Sequence, residues 1–221
     1  RGMSSAASDV YKRQANKGSR APGRTALSGK AKQTIDAPDG GRVGLAITEL
    51  SHLGKINLRG SGDILPGVKK HTGCKALPEN NRAVTVGERT LVWLAPDEFL
   101  VLCEAGEEAG LHSQLMLDLG KIHAAVTNVT DALCAMSLRG SALRRVLAKG
   151  CALDLHPSVF TAGMCAQTML SHAAVTLVAV SDDQFTLICR TSFAAYVHDW
   201  LMDAGLELSL IHISEPTRRT T

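Results

Sequence analysis

Aromatic side chains are scarce in this chain: two Trp, two Tyr and four Phe make up 4% of its 221 residues. Leu, Val, Ile and Ala must therefore fill any core, and an interface has few of the aromatic anchors that usually dominate binding energy. No run of about eighteen apolar residues occurs, so no membrane-spanning helix is expected. The six cysteines, Cys74, Cys103, Cys134, Cys151, Cys165 and Cys189, include no CxxC pair and no zinc-type ligand spacing. Cys103, Cys134 and Cys189 sit in strand-like apolar runs, where a thiol behaves as a small buried hydrophobe. Free cysteines of this kind fit a reducing, cytoplasmic setting. Gly60-Ser61-Gly62 follows a strand-like run, but no third glycine completes a dinucleotide fingerprint, and it reads as a turn. No GxSxG elbow is present, so hydrolase chemistry has no support.

Charge of one sign is also missing once the two ends are set aside. Ser4 to Gln14 (SSAASDVYKRQ) and Leu208 to Arg218 (LSLIHISEPTR) resemble in-frame translations of sequencing-library adaptors, so residues 1–14 and 208–221 are expected to be artefact and the chain a metagenomic fragment. Without them 19 basic and 19 acidic residues remain of the original 24 and 21. Residues 15–40, rich in Gly, Ser, Ala, Pro and Lys, have little to bury and are expected to be a disordered tail. From Asp36 to Glu207 there are 14 basic and 19 acidic residues, a net of −5. A nucleic-acid binder needs clustered Lys and Arg to displace counterions, so that class is excluded despite a sequence pI of 8.6.

What is present is an alternation of strand and helix patterns, repeated once. Val43 to Leu50, Leu53 to Arg59, Thr90 to Ala95 and Glu98 to Cys103 read as strands, with a polar helix around Asp63 to His71 and a turn-rich loop from Cys74 to Ala83. Leu111, Leu115 and Leu119 recur every four residues and mark one face of a helix ending at Gly120. The second half follows the same order: strands from Val126 and Leu133, a short helix Ser141 to Lys149 closed by Gly150, then strands near Cys165 to Leu170, Val175 to Val180 and Phe185 to Arg190. Ser192 is the expected N-cap of a last helix, Phe193 to Asp203, and Gly205 its stop. Leu58-Arg59-Gly60 matches Leu138-Arg139-Gly140, and Asp97-Glu98-Phe99 matches Asp183-Gln184-Phe185. These landmarks predict an α+β fold of two similar halves, residues 41–121 and 122–207, from an internal duplication, with antiparallel or mixed sheets and flanking helices.

The densest run of distinctive residues is Arg144 to Gln167, RRVLAKGCALDLHPSVFTAGMCAQ. Its residue types and spacing closely resemble the gamma subunit of heterotetrameric sarcosine oxidase. The resemblance extends over Val43 to Glu207 and is weaker in the first half. It implies a fold related to the glycine-cleavage T-protein family. It also implies a complex that oxidises sarcosine to glycine with release of hydrogen peroxide, the one-carbon unit passing to tetrahydrofolate or leaving as formaldehyde. The implied partners are alpha, beta and delta subunits, with FAD, FMN and NAD on partner subunits and zinc on delta. Two alternatives stay open: a subunit of a related N-methyl amino-acid dehydrogenase complex, and an autonomous folate-binding protein of the T-protein type. Lys149-Gly150-Cys151 is similar to the KGC of folate-binding relatives, but Ala152-Leu153-Asp154 follows it where those continue toward Gly-Gln-Glu.

Within that run no catalytic, cofactor-binding or metal set can be assembled. Cys151, Asp154 and His156 lie close in sequence, yet a catalytic zinc needs three protein ligands and an open position. His156 reads as a loop-ordering or interface residue, Lys149 as a partner of a helix C-terminus, and Arg144 and Arg145 as a solvated helix face. Arg139 and Arg59, at equivalent strand ends, are expected to pair with an acidic residue across the pseudo-twofold or with a loop carbonyl. Arg144, Lys149, Cys151, Asp154, His156 and Gln167 are the candidate subunit-contact residues.

Overall fold

A computed structural model describes residues 24–30, 32–36 and 43–210. The chain runs β1 (Lys32–Asp36), β2 (Val43–Glu49), β3 (Gly54–Arg59), α1 (Leu65–Thr72), β4 (Ala83–Val86), β5 (Arg89–Ala95), β6 (Glu98–Cys103) and α2 (Glu108–Leu119). It continues β7 (Ala125–Asn128), β8 (Leu133–Arg139), α3 (Leu143–Ala148), β9 (Cys165–Leu170), β10 (Ala173–Ser181), β11 (Gln184–Arg190) and α4 (Ala194–Leu210). The pairings between these strands are antiparallel.

The strands form a six-stranded sheet, β1-β2-β8-β11-β10-β9, and a five-stranded sheet, β4-β5-β6-β3-β7. Counted from β7, the second sheet repeats the first from β2 onward, but the leading strand is exchanged: β2 joins the sheet of the second half and β7 that of the first. The connectors that carry this exchange bond alike, Leu50 N donating to Ala135 O and Val129 N to Lys55 O, both at 2.9 Å. At the far side Arg82 and Met164, equivalent residues of the two halves, bridge to each other. Their carbonyls accept from Trp93 N at 3.0 Å and Ala179 N at 2.8 Å.

Alternation along the strands sorts the core into three layers. Met136, Leu138, Leu177, Phe185 and Leu187 pack with Leu143, Val146 and Leu147 of α3 and Val197 and Leu201 of α4. Ile56, Leu58, Phe99 and Val101 pack with Val68 of α1 and with Leu111, Leu115 and Leu119 of α2. The opposite strand faces meet each other through Val92, Leu100, Leu102, Ala135, Cys165, Val178 and Ile188, a cluster without a helical residue. The order is therefore helices, sheet, sheet, helices. Each buried leucine on α2 contributes about 2 kcal/mol by leaving water, which explains why the four-residue spacing was a reliable helix signal.

The repeated Leu-Arg-Gly has one local cause. Gly60 and Gly140 take φ of 157° and 142°, where a side chain is strained. Each donates its N–H at 2.9 Å, to Asp97 O and Asp183 O respectively. Arg59 pairs with Glu98 at 3.1 Å and Arg139 lies 4.0 Å from Asp183, so both arginines pair within their own half rather than across the pseudo-twofold.

Several boundaries differ from the sequence reading. Of the adaptor-like residues 1–14 and 208–221, 208–210 continue the last helix and the others lie outside the described residues, as does most of the tail, but residues 24–30 and 32–36 do not behave as a disordered tail. Leu27 and Ile35, 1% and 7% exposed, enter the first core, and β1 pairs with β2. Gly205 does not stop the last helix, which runs on to Leu210. A Cβ at Gly205 would lie 2.4 Å from Ile35 Cδ1, so this glycine lets β1 approach α4. Gly150 likewise yields space to the Trp200 ring, 2.5 Å from a Cβ there, and the capping residue of α3 is Lys149. Gly120 does cap α2, but in right-handed rather than left-handed geometry. Ser192 lies inside a 3-10 turn, Thr191–Phe193, that leads into α4 and carries no side-chain cap bond.

Exchange of leading strands leaves neither half a complete sheet. Residues 41–121 and 122–207, produced separately, are expected to remain unfolded by near-ultraviolet circular dichroism and to recover native signal on mixing; a cooperative melt of either half alone would contradict this.

Candidate functional site

The distinctive run folds as α3, the loop 149–163 and the start of β9, and Arg144 holds these parts together. Its Nη1 donates to Leu155 O at 2.6 Å and Phe160 O at 3.0 Å, and its Nε to Asp182 O at 2.9 Å. The guanidinium lies 4.9 Å from the centroid of the Phe185 ring, which itself meets Phe160 at 5.6 Å. Nη2 is buried without a hydrogen bond, 3.6 Å from Asp182 Oδ1. One planar cation thus gathers three carbonyls from two loops over an aromatic face, geometry that a lysine cannot reproduce. The side chain is only 14% exposed, which corrects the expectation of a solvated helix face for Arg144; Arg145 is exposed as expected.

The six candidate contact residues do not share one surface. Arg144 turns inward, Cys151 is buried in the first core, and Lys149 reaches across to α4, donating to Ala204 O at 2.6 Å. Lys149 thus sits at the end of α3 and also binds a carbonyl of another helix. Asp154 and His156 are exposed on the loop, where Asp154 Oδ1 accepts from His156 N at 2.9 Å and His156 Nδ1 lies 2.7 Å from Ser158 Oγ. With Val159, 49% exposed, they form an outward crest above the Arg144 clamp. Gln167 lies elsewhere, at the cleft between the sheets, and donates to Leu94 O at 2.7 Å.

That cleft, about 700 Å³, opens where the two sheets diverge. Leu94, Leu100, Leu133 and Ile188 line it with Asn57, Glu98 and Arg190. The Glu98 carboxylate is held by Asn57 Nδ2 at 2.7 Å and Arg59 Nη2 at 3.1 Å. A smaller chamber, about 80 Å³, sits at the strand-exchange connectors and is lined by Glu49, Lys55, Asp131 and Cys134. Lys55 is 2% exposed, and its Nζ donates to Leu53 O at 2.6 Å and Thr130 O at 3.2 Å, one carbonyl from each connector. Burial holds its ammonium below the ordinary lysine pKa. Sequence reading did not single out Lys55; a lysine within a strand gives no sign that it faces inward unless the crossing connectors are known.

Among the described residues no group of three His, Cys, Asp or Glu is placed to hold a metal ion. The six cysteines are free and buried. Burial pushes the Cys134 thiol up to about 12 and those of Cys103, Cys165 and Cys189 to about 11, which suppresses the reactive thiolate. No helix among the described residues is long and apolar enough to cross a membrane.

Comparison with known proteins gives a consistent result. The sequence profile described as "Sarcosine oxidase, gamma subunit family" matches residues 66–207. The sarcosine oxidase subunit gamma of Corynebacterium sp. strain U-96 is 28% identical over 181 residues, covering 79% of this chain and 85% of that protein. One chain of the heterotetrameric sarcosine oxidase from the same strain, solved with pyrrole 2-carboxylate, superposes with a TM-score of 0.75 at 26% identity, covering 85% of this chain and 96% of that one. The glycine cleavage system aminomethyltransferase T of Bartonella henselae superposes with a TM-score of 0.56 at 15% identity, covering 74% of this chain and 50% of its own, which shows a shared fold.

Loss of the clamp is expected to loosen the crest before it unfolds the protein. Arg144→Met should cost about 3 kcal/mol in urea unfolding by leaving three carbonyls without their charged donor, and Arg144→Lys should recover less than half of that. Limited proteolysis should cut Arg144→Met within residues 152–160 first, and unchanged cleavage would contradict the clamp. The buried thiols should resist iodoacetamide at pH 8 in the native protein and all six should react after denaturation; rapid native labelling would show that the core opens.

Proposed function

Because the chain belongs to the sarcosine oxidase gamma subunit family, we propose that it serves as the non-catalytic gamma subunit of a heterotetrameric oxidase converting sarcosine to glycine. The observation that carries this reading is the superposition over 96% of a chain of the Corynebacterium enzyme. Hydrogen peroxide is the expected reduced product, with the one-carbon unit transferred to tetrahydrofolate or released as formaldehyde. In this reading FAD, FMN and NAD reside on partner subunits, zinc on the delta subunit, and the assembly is cytoplasmic.

The role of this chain is then to present shaped surface. The crest of Asp154, His156 and Val159 is held in shape before any partner arrives, because Arg144 binds the carbonyls of Leu155 and Phe160 within its loop. Preorganisation of this kind lowers the ordering cost of association. Arg144 and Cys151 act behind the surface, Lys149 is exposed and reaches α4, and Gln167 belongs to the separate inter-sheet cleft.

A second reading, an autonomous folate-binding protein, draws support from that cleft, whose apolar floor and few polar groups suit a small ligand. Calorimetric titration of the isolated chain with tetrahydrofolate separates the two: micromolar binding without partners favours the second reading.

Co-expression with alpha, beta and delta subunits of a sarcosine oxidase should give a complex with one copy of each chain and sarcosine-dependent hydrogen peroxide release. A gamma chain that stays monomeric beside its partners would overturn the assignment. Within a complex that forms, replacing Asp154, His156 and Val159 together by Ser should weaken assembly by about tenfold or more, the loss expected from removing an interface anchor, without lowering the melting temperature of the isolated chain.

A further inference from the structure

The two sheets repeat each other strand for strand, except that one has an extra member. β1 lies along the outer edge of β2, whereas among the described residues no strand lies along the equivalent edge of β7. The ladder fixes which backbone groups point there. Val129 N donates to Lys55 O, so in an antiparallel pair Ala125 and Thr127 bond inward to β3 while Val126 and Asn128 turn N–H and C=O outward. The same parity turns Leu45 and Ile47 outward from β2, where they pair with Ile35 and Gln33 of β1.

A pair of equivalent histidines reports the difference. On the five-stranded side His112 Nε2 lies 3.3 Å from Val126 O and bonds the outward carbonyl. On the six-stranded side Ile47 is the counterpart of Val126, opposing Leu138 as Val126 opposes Leu58. There β1 occupies the edge, and His198 Nε2, 1% exposed, has no hydrogen-bond partner. The same outward carbonyl position is thus met once by a histidine and once by a strand. The arrangement with the strand in place exists in this molecule, with the histidine Nε2 unbonded and its Nδ1 3.1 Å from Asp199 Oδ1.

From this we infer that the β7 edge is a strand-addition site, occupied in the assembled oxidase by an extended segment of a partner subunit running antiparallel to β7. The inference rests on the gamma-subunit reading given above. A second copy of this chain is a poor occupant, because two four-residue edges paired with each other bury far less than the roughly 1,200 Å² that a stable dimer needs. The segment would carry an apolar residue turned toward α2 next to a polar residue turned outward, as the buried Ile35 follows the exposed Thr34 in β1. It would displace His112 Nε2 from Val126 O, as β1 takes the edge beside His198 Nε2. Recognition is through main-chain hydrogen bonds, the mode in which a peptide extends an open sheet.

Hydrogen exchange read at single-residue resolution, on the free chain and on its co-expressed complex with alpha, beta and delta subunits, tests this directly. Strand addition predicts exchange about tenfold slower or more at the amides of Val126 and Asn128, with the inward-bonded amide of Thr127 changed little. The variant Asn128→Pro, which removes an outward donor, should assemble about tenfold more weakly, whereas Asn128→Ala, which keeps it, should assemble normally. A complex that forms with unchanged exchange at Val126 and Asn128, and with Asn128→Pro at wild-type strength, overturns the inference and leaves the gamma-subunit reading intact. Protection that appears in the free chain at high concentration would assign the edge to self-association and overturn it too. Failure to form any complex overturns both.

Discussion

Exchange of the leading strands is the constraint on which the rest of this structure depends. A repeat unit that kept its own first strand would be a self-contained α+β domain, and the two units would need only a linker. Instead β2 and β7 cross between the sheets, and the crossing is secured by reciprocal bonds, Leu50 N to Ala135 O and Val129 N to Lys55 O. Lys55 adds a charged knot by binding one carbonyl from each connector, Leu53 O and Thr130 O, in a site where burial works against its charge. The inter-sheet core of Val92, Leu100, Ile188 and Val178 then forms only when both halves are present. Stability is shared between the halves rather than stored in each.

What distinguishes the second half is how its loop is held. The equivalents of Gly60 and Gly140, Arg59 and Arg139 are preserved in both halves because both strand ends need the same turn. Arg144 belongs only to the second half. It converts a short helix and a fourteen-residue stretch without regular structure, Lys149 to Ala162, into an ordered crest. A subunit poor in aromatics has few large anchors, and preorganised backbone is an alternative source of affinity because less freedom is lost on association.

Much of the architecture was legible in the sequence. Strands with clear β-branched and apolar runs, the four-residue leucine spacing of α2 and the repeated Leu-Arg-Gly and Asp-x-Phe landmarks each reflect a local physical requirement. What was not legible depended on contacts between distant segments. Glycine at position 205 looks like a helix stop, and only the approach of Ile35 explains its place inside α4. Lys32–Asp36 has a tail-like composition, and its role as a strand depends on the edge that β2 presents after crossing. Arg144 has the spacing of a solvated face, yet the loop after its helix folds back over it. The candidate contact residues therefore divide into Arg144 and Cys151, which turn inward, Asp154 and His156, exposed on the loop, Lys149, exposed and bound to α4, and Gln167 at the inter-sheet cleft.

Native-state hydrogen exchange under increasing denaturant tests the shared-stability account most directly. If strand exchange welds the halves, the slowest amides of β3, Ile56 and Leu58, and those of β8, Met136 and Leu138, open with one common free energy and one common denaturant dependence. Two separate opening free energies, one for each sheet, would contradict it.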